Sequence, residues 1–146
     1  MLPFVVFLLV VINGLLGVDF GYHWDEPLTL RAVQNSVQTG LFLPGRYYYP
    51  SFSYDLSLLG LVPSIIKFQT SGVAEPPTVK DYVTNIAAGK PFQLRVRMIF
   101  VVVASLSVLW TYVLVLHWQR NWAEAFLACS ILGLSWEYTY HLRWIA

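Results

Sequence analysis

Charge is what this sequence has least of. Acidic and basic residues make up only 12% of the 146 residues and nearly cancel, leaving a formal net charge of +1. Such a chain has no basic face for a nucleic acid and too few charges to solvate a disordered tail. One cysteine, Cys129, rules out an intrachain disulfide framework, and its apolar neighbours make it a small core residue. There is no Walker-type loop, no Gly-x-Gly-x-x-Gly and no nucleophile elbow, so no nucleotide site of a familiar kind is present. His23, His117 and His141 are not at metal-ligand spacing, and no His/Cys cluster could hold zinc. No resident cofactor is expected, although His23 beside Asp25 and Glu26 could join a carboxylate-rich divalent-cation site. The amino terminus lacks both the basic residues and the small-x-small site of a cleaved signal peptide. It reads as an uncleaved anchor.

What is present is apolar length. Three runs approach the roughly 20 residues that a helix needs to cross a bilayer: residues 2–18, 98–116 and 122–140. They predict an all-α membrane protein with three transmembrane helices, multi-pass and embedded in lipid. A long outer loop, residues 19–94, would carry short juxtamembrane helices. The chain ends soon after the third run, so residues 1–146 are expected to be the N-terminal part of a larger polytopic fold, inactive alone.

The loop has its own punctuation. Pro27 suits the first position of a helix and Gly40 its C-terminal end. Between them Leu30, Val33 and Val37 form an apolar stripe opposite Arg31, Gln34, Asn35 and Gln38. Pro50 opens a second helix over about Ser51–Val62, which Pro63 breaks or restarts. Gln69 to Pro77 reads as loop. Thr78 and Asp81 have the spacing of a capping pair ahead of a short helix faced by Val79, Tyr82, Val83 and Ile86 and ending at Gly89. With a cytoplasmic amino terminus, parity puts the loop on the periplasmic, extracellular or luminal side. The third run then returns His141, Leu142 and Arg143 to that side. Trp118 and Trp122 would mark one membrane boundary, and Trp24, Trp136 and Trp144 the other.

The residues able to carry chemistry cluster near those outer boundaries. Asp25 and Glu26 form an acid pair behind His23 and Trp24. One reading makes them helix caps that favour the macrodipole of the Pro27 helix. The other makes Asp25 a general base at the membrane surface. On the residues alone the two readings weigh equally. Tyr47, Tyr48 and Tyr49 suit an interfacial belt or a stacking wall, and Asp55 suits a water-facing position. Arg95 and Arg97 could snorkel from a span end or clamp the phosphate of a lipid-linked substrate. His141 and Arg143 pose the same choice. Glu124 and Glu137 sit near the ends of their run, where interfacial placement suffices.

In order and spacing, these residues resemble the start of a GT-C-type membrane glycosyltransferase. The likeness is to the protein O-mannosyltransferase and aminoarabinose-transferase-like superfamily. His23-Trp24-Asp25-Glu26-Pro27 stands where that family often has His-Pro-Asp-Glu, with Trp24 replacing the usual proline. Thr39-Gly40 ends a helix, and Tyr49-Pro50-Ser51-Phe52 follows in place of a Tyr-Pro motif. Arg95 opens the next span. His141-Leu142-Arg143 resembles a His-Ser-Arg stretch ahead of a second acidic motif, with Leu142 where a small residue is usual. The resemblance implies transfer of a sugar from a polyprenyl-phosphate-sugar donor to an acceptor hydroxyl, with inversion. By that analogy Asp25 is the base and Glu26 orients it or contacts the acceptor. Arg95, Arg97 or Arg143 would hold phosphate, while His23, Tyr49 and His141 would complete the substrate site. A reading of another class is a non-catalytic membrane subunit or transporter whose acid pair binds a cation or proton.

Overall fold

A computed structural model describes residues 2–21, 25–41, 43, 51–70 and 78–145, and every regular element among them is helical. In chain order these are α1 (Leu2–Leu16), α2 (Glu26–Thr39), α3 (Ser51–Leu58), a 3₁₀ turn (Leu59–Leu61), α4 (Val62–Thr70), α5 (Val79–Ala87), α6 (Lys90–Gln119), α7 (Trp122–Leu134) and α8 (Trp136–His141). They fall into two compact units: Met1–Phe20 with Phe100–Trp144, and Gly21–Ile99 with Ile145–Ala146.

The first unit packs α1 against α7 and α8. Its core is aliphatic: Val6, Val10, Val101, Val108, Cys129 and Leu142, with Ala104, Tyr112, Phe126 and Tyr138 packed against it. Glycines set how closely the helices approach. A Cβ at Gly14 would lie 2.6 Å from Val101 and 2.7 Å from Leu142, and one at Gly133 would lie 3.0 Å from both Val6 and Val10. Small residues at such crossings let backbones come together without a large side chain between them. The outward surface is apolar too, as Leu9 (52% exposed), Leu106 (48%) and Ile131 (66%) illustrate.

Only α6 is long and apolar enough to cross a membrane among the described residues. At 1.5 Å per residue its 30 residues extend about 45 Å, against a hydrocarbon core of about 30 Å. The expectation of three spans is reduced accordingly. Helix α1 has 15 residues and α7 has 13, or about 22 and 20 Å. The third run is not one helix, because Ser135 adopts an extended conformation (ψ 127°). Its hydroxyl accepts from the Tyr138 amide, at 3.5 Å, and starts α8 anew. Serine competes with the helix for backbone partners and favours such a cap. The second run departs in the other direction. Its helix begins at Lys90, directly after Gly89 and with Pro91 in its first turn, so Arg95 and Arg97 lie within the helix.

The second unit packs α2 against α3 and α5, and α4 against α5. The α2 stripe is as expected in most positions: Val33 and Val37 are buried and Arg31, Asn35 and Gln38 exposed, while Leu30 and Gln34 are both half-buried. Gly40 ends the helix in the left-handed region (φ 75°), its amide donating to the Ser36 carbonyl at 2.8 Å. Thr78 caps α5 through the Asp81 amide. Polar groups then tie the elements together: Tyr54 Oη donates to Ser36 Oγ at 2.7 Å, and Gln34 Nε2 to the Ala87 carbonyl at 2.9 Å.

Candidate functional site at the start of α2

Helix α2 starts one residue earlier than the proline suggested. Glu26 is its first residue, Pro27 follows it in the first turn, and Asp25 takes the cap position. A cap residue usually has extended backbone and an oxygen aimed at the next amides. Asp25 has neither feature: its backbone is right-handed (φ −86°, ψ −29°) and its side chain makes no capping hydrogen bond. Only its carbonyl serves the helix, accepting from the Leu28 amide at 3.1 Å. The side chain is half-buried.

Glu26 is wholly buried, with 0% exposure, as is its partner Arg97 at 1%. Arg97 Nε donates to one carboxylate oxygen at 2.9 Å and Nη2 to the other at 2.6 Å, the two-pronged geometry that suits guanidinium to carboxylate. Gln93 Nε2, one turn earlier on α6, donates to Oε2 at 2.8 Å, and the Ile145 amide approaches Oε1 at 3.5 Å. Taking two charges out of water is unfavourable unless the pair is close and the remaining lone pairs are satisfied. Both conditions are met here. Arg97 Nη2 also donates to the Gly21 carbonyl at 2.6 Å. Gly21 has φ +94°, a conformation that only glycine adopts without strain.

The other expected site residues are divided between the two units or lie outside the described residues. His23 and Tyr49 lie outside the described residues, as do Trp24, Tyr47 and Tyr48. Arg95 is half-buried and donates to Ser64 Oγ on α4 at 2.6 Å and to the Pro91 carbonyl at 3.2 Å. In the first unit His141 is exposed, its ring edge-on to Trp144 with centroids 4.3 Å apart. Tyr140 stacks on Trp136 beside it, at 5.2 Å and 9° between planes. Arg143 Nη2 donates to the Asn13 carbonyl at 2.8 Å, where α1 ends, and its guanidinium lies against Gly17. Its Nε is buried without a partner.

Residue reading missed Gln93, Gly21 and the Ile145 amide. Gln93 alone left a signal: it stands four residues before Arg97, hence on the same face of the helix. Among the described residues no group of three or more His, Cys, Asp or Glu side chains is gathered as a metal site. A cavity of about 250 Å³ in the first unit has Asn13 and Thr139 as its polar lining. The Thr139 hydroxyl is already bonded to the Ser135 and Trp136 carbonyls. No protein-family model, curated protein or solved structure matches the chain.

Proposed function

We propose that this chain belongs to a multi-pass membrane glycosyltransferase that moves a sugar from a polyprenyl-phosphate donor to an acceptor hydroxyl, with Asp25 as general base. The acceptor oxygen gives its proton to the Asp25 carboxylate and bonds to the anomeric carbon from the face opposite the phosphate. The bond from that carbon to the phosphate oxygen breaks, its electron pair leaves with the polyprenyl phosphate, and the configuration inverts. The leaving group is already stable, so activating the acceptor and neutralising the phosphate are the tasks left to the protein. Arg95, in the same unit as Asp25, is the cation assigned to the phosphate. The site faces the periplasm, exterior or lumen.

One observation carries this reading: helix capping does not account for the Asp25 side chain. Helix capping was the competing explanation for Asp25, and its side chain makes no capping bond. The Glu26 carboxylate is bound by Arg97 and Gln93. A cation site made of both acids would need those same oxygens, so the subunit or transporter reading gains nothing from this geometry. The order of motifs along the sequence supports the transferase, and the apolar exterior of the first unit supports α1 and α7 as lipid-embedded companions of α6.

The test is Asp25→Asn in the intact protein, assayed with radiolabelled polyprenyl-phosphate mannose and polyprenyl-phosphate aminoarabinose against membrane acceptors. Transfer should fall by about 10²–10⁴-fold, the usual contribution of a general base, with donor binding retained. Transfer at the wild-type rate, at equal expression, would falsify the assignment.

A further inference from the structure

Gly21 and Glu26, which flank Asp25 in the sequence, are both held by one side chain. Arg97 Nη2 donates to the Gly21 carbonyl at 2.6 Å on one side and to Glu26 Oε2 at 2.6 Å on the other, while Nε holds Oε1 at 2.9 Å. Gln93 Nε2 binds the same carboxylate at 2.8 Å from one turn earlier on α6. The positive φ of Gly21 turns the backbone at the first of these anchors, and the Ile145 amide adds a contact at the second.

We infer that Arg97, through Glu26 and with Gln93, is a positioning residue that ties Gly21 to Glu26 and fixes where Asp25 is presented, rather than a ligand of the donor phosphate. The inference rests on the reading of Asp25 as base. A planar guanidinium satisfies three acceptors in fixed directions, whereas a lysine ammonium is a compact charge on a flexible stem and cannot reproduce that fork. Both members of the pair are buried to 1% or less, and a phosphate on Arg97 would have to displace a bidentate carboxylate already in place. A misplacement of about 1 Å at a reacting group can lower a rate about 10²-fold, so the clamp governs turnover without touching substrate.

The experiment compares Arg97→Lys, Gln93→Ala and Asp25→Asn in the intact protein, using whichever of the two labelled donors is turned over. Arg97→Lys should lower kcat about 10- to 100-fold while the donor KM changes less than about 2-fold, the signature of lost transition-state geometry rather than lost binding. Gln93→Ala should act in the same direction and more weakly. In the Asp25→Asn background, Arg97→Lys should lower the residual rate no further, because both changes remove one function. Hydrogen exchange at residues 21–28 should rise in Arg97→Lys and stay unchanged in α7, a readout that does not depend on turnover. A donor KM raised about 10-fold or more with kcat preserved would return Arg97 to the phosphate and overturn the clamp. Unchanged exchange at 21–28, or a loss that adds to that of Asp25→Asn, would also overturn it. Wild-type transfer by Asp25→Asn would instead remove the base, and the positioning role with it. That outcome is distinct from one in which Asp25→Asn is inactive and only the Arg97 results fail.

Discussion

Buried polar groups behave differently in the two units. In the unit of α1, α7 and α8, Ser105 and Thr139 are buried and both hydroxyls turn back to carbonyls of their own chain segment, Val101 at 2.6 Å and Ser135 at 3.1 Å. The half-buried Tyr138 and Arg143 are exceptions, reaching the Ala104 carbonyl on α6 at 2.6 Å and the Asn13 carbonyl on α1 at 2.8 Å. In the unit of α2 to α5, Ser57 likewise turns back to the Ser53 carbonyl at 2.7 Å, but several buried groups bond between elements: Glu26 with Arg97, Tyr54 with Ser36, Ser64 with Arg95. A hydroxyl bonded within its own helix satisfies a desolvated atom without choosing a neighbour. A bond between helices does choose one, because the wrong pairing strands a buried polar group at a cost of about 1–3 kcal/mol. The first unit therefore draws mainly on close packing around glycine, and the second adds more directed polar contacts between its buried groups.

That contrast can be broken most forcefully at the ion pair. Arg97→Ala should destabilise the second unit by about 3–5 kcal/mol, since it leaves the Glu26 carboxylate buried and unpaired. The double replacement Arg97→Met with Glu26→Leu should recover most of the loss, as measured by denaturant unfolding in detergent. If the single and double variants unfold alike, the pair is not what registers α2. On the first unit, Leu106→Lys places a charge on the outward face of α6. Membrane insertion of that helix should become less favourable by about 2.5–3.5 kcal/mol in a glycosylation-tagged insertion assay. A face turned to water would register a change within about 0.5 kcal/mol.

Two smaller perturbations sharpen the comparison. Gly14→Leu would force Val101 and Leu142 apart and should destabilise the first unit by about 1–3 kcal/mol through overpacking. Loss of amide protection along α1, with α2 unaffected, would localise the effect. Tyr54→Phe removes one neutral hydrogen bond, and Ser36 keeps its bonds to the Ala32 and Leu43 carbonyls. A loss of about 1 kcal/mol is expected, read from the unfolding midpoint. A change near zero would mean that packing, rather than the hydroxyl, holds α3 against α2.

Much of the local architecture was legible from residue types. Thr78 three residues before Asp81 predicted the α5 cap, Gly40 the left-handed end of α2, and Val33 and Val37 its buried face. Cys129 was expected in an apolar core and lies there, fully buried. Each of these features depends on residues within about one or two helical turns. The failures were of two kinds. Apolar length overstated how far the first and third runs continue as single helices, because hydropathy alone does not register Ser135 as a competing cap or Gly17 as the end of a helix. The reading of Arg97 as a helix-end cation missed its partner, which stands 71 positions away in sequence. An isolated arginine in an apolar run looks the same whether it snorkels, binds phosphate or pairs with a buried acid.

By itself the sequence determined that this is a helical chain with apolar segments, and where most of its helices start and stop. Periodicity, glycine, proline and capping hydroxyls act over a few residues and are written locally. Only the tertiary structure decided how the acid pair is divided. Asp25 stays at the mouth of α2 without capping it, while Glu26 is drawn into a buried clamp by Arg97 and Gln93. Two adjacent carboxylates are chemically almost alike, and the fold buries Glu26 completely against a guanidinium while leaving Asp25 half-buried.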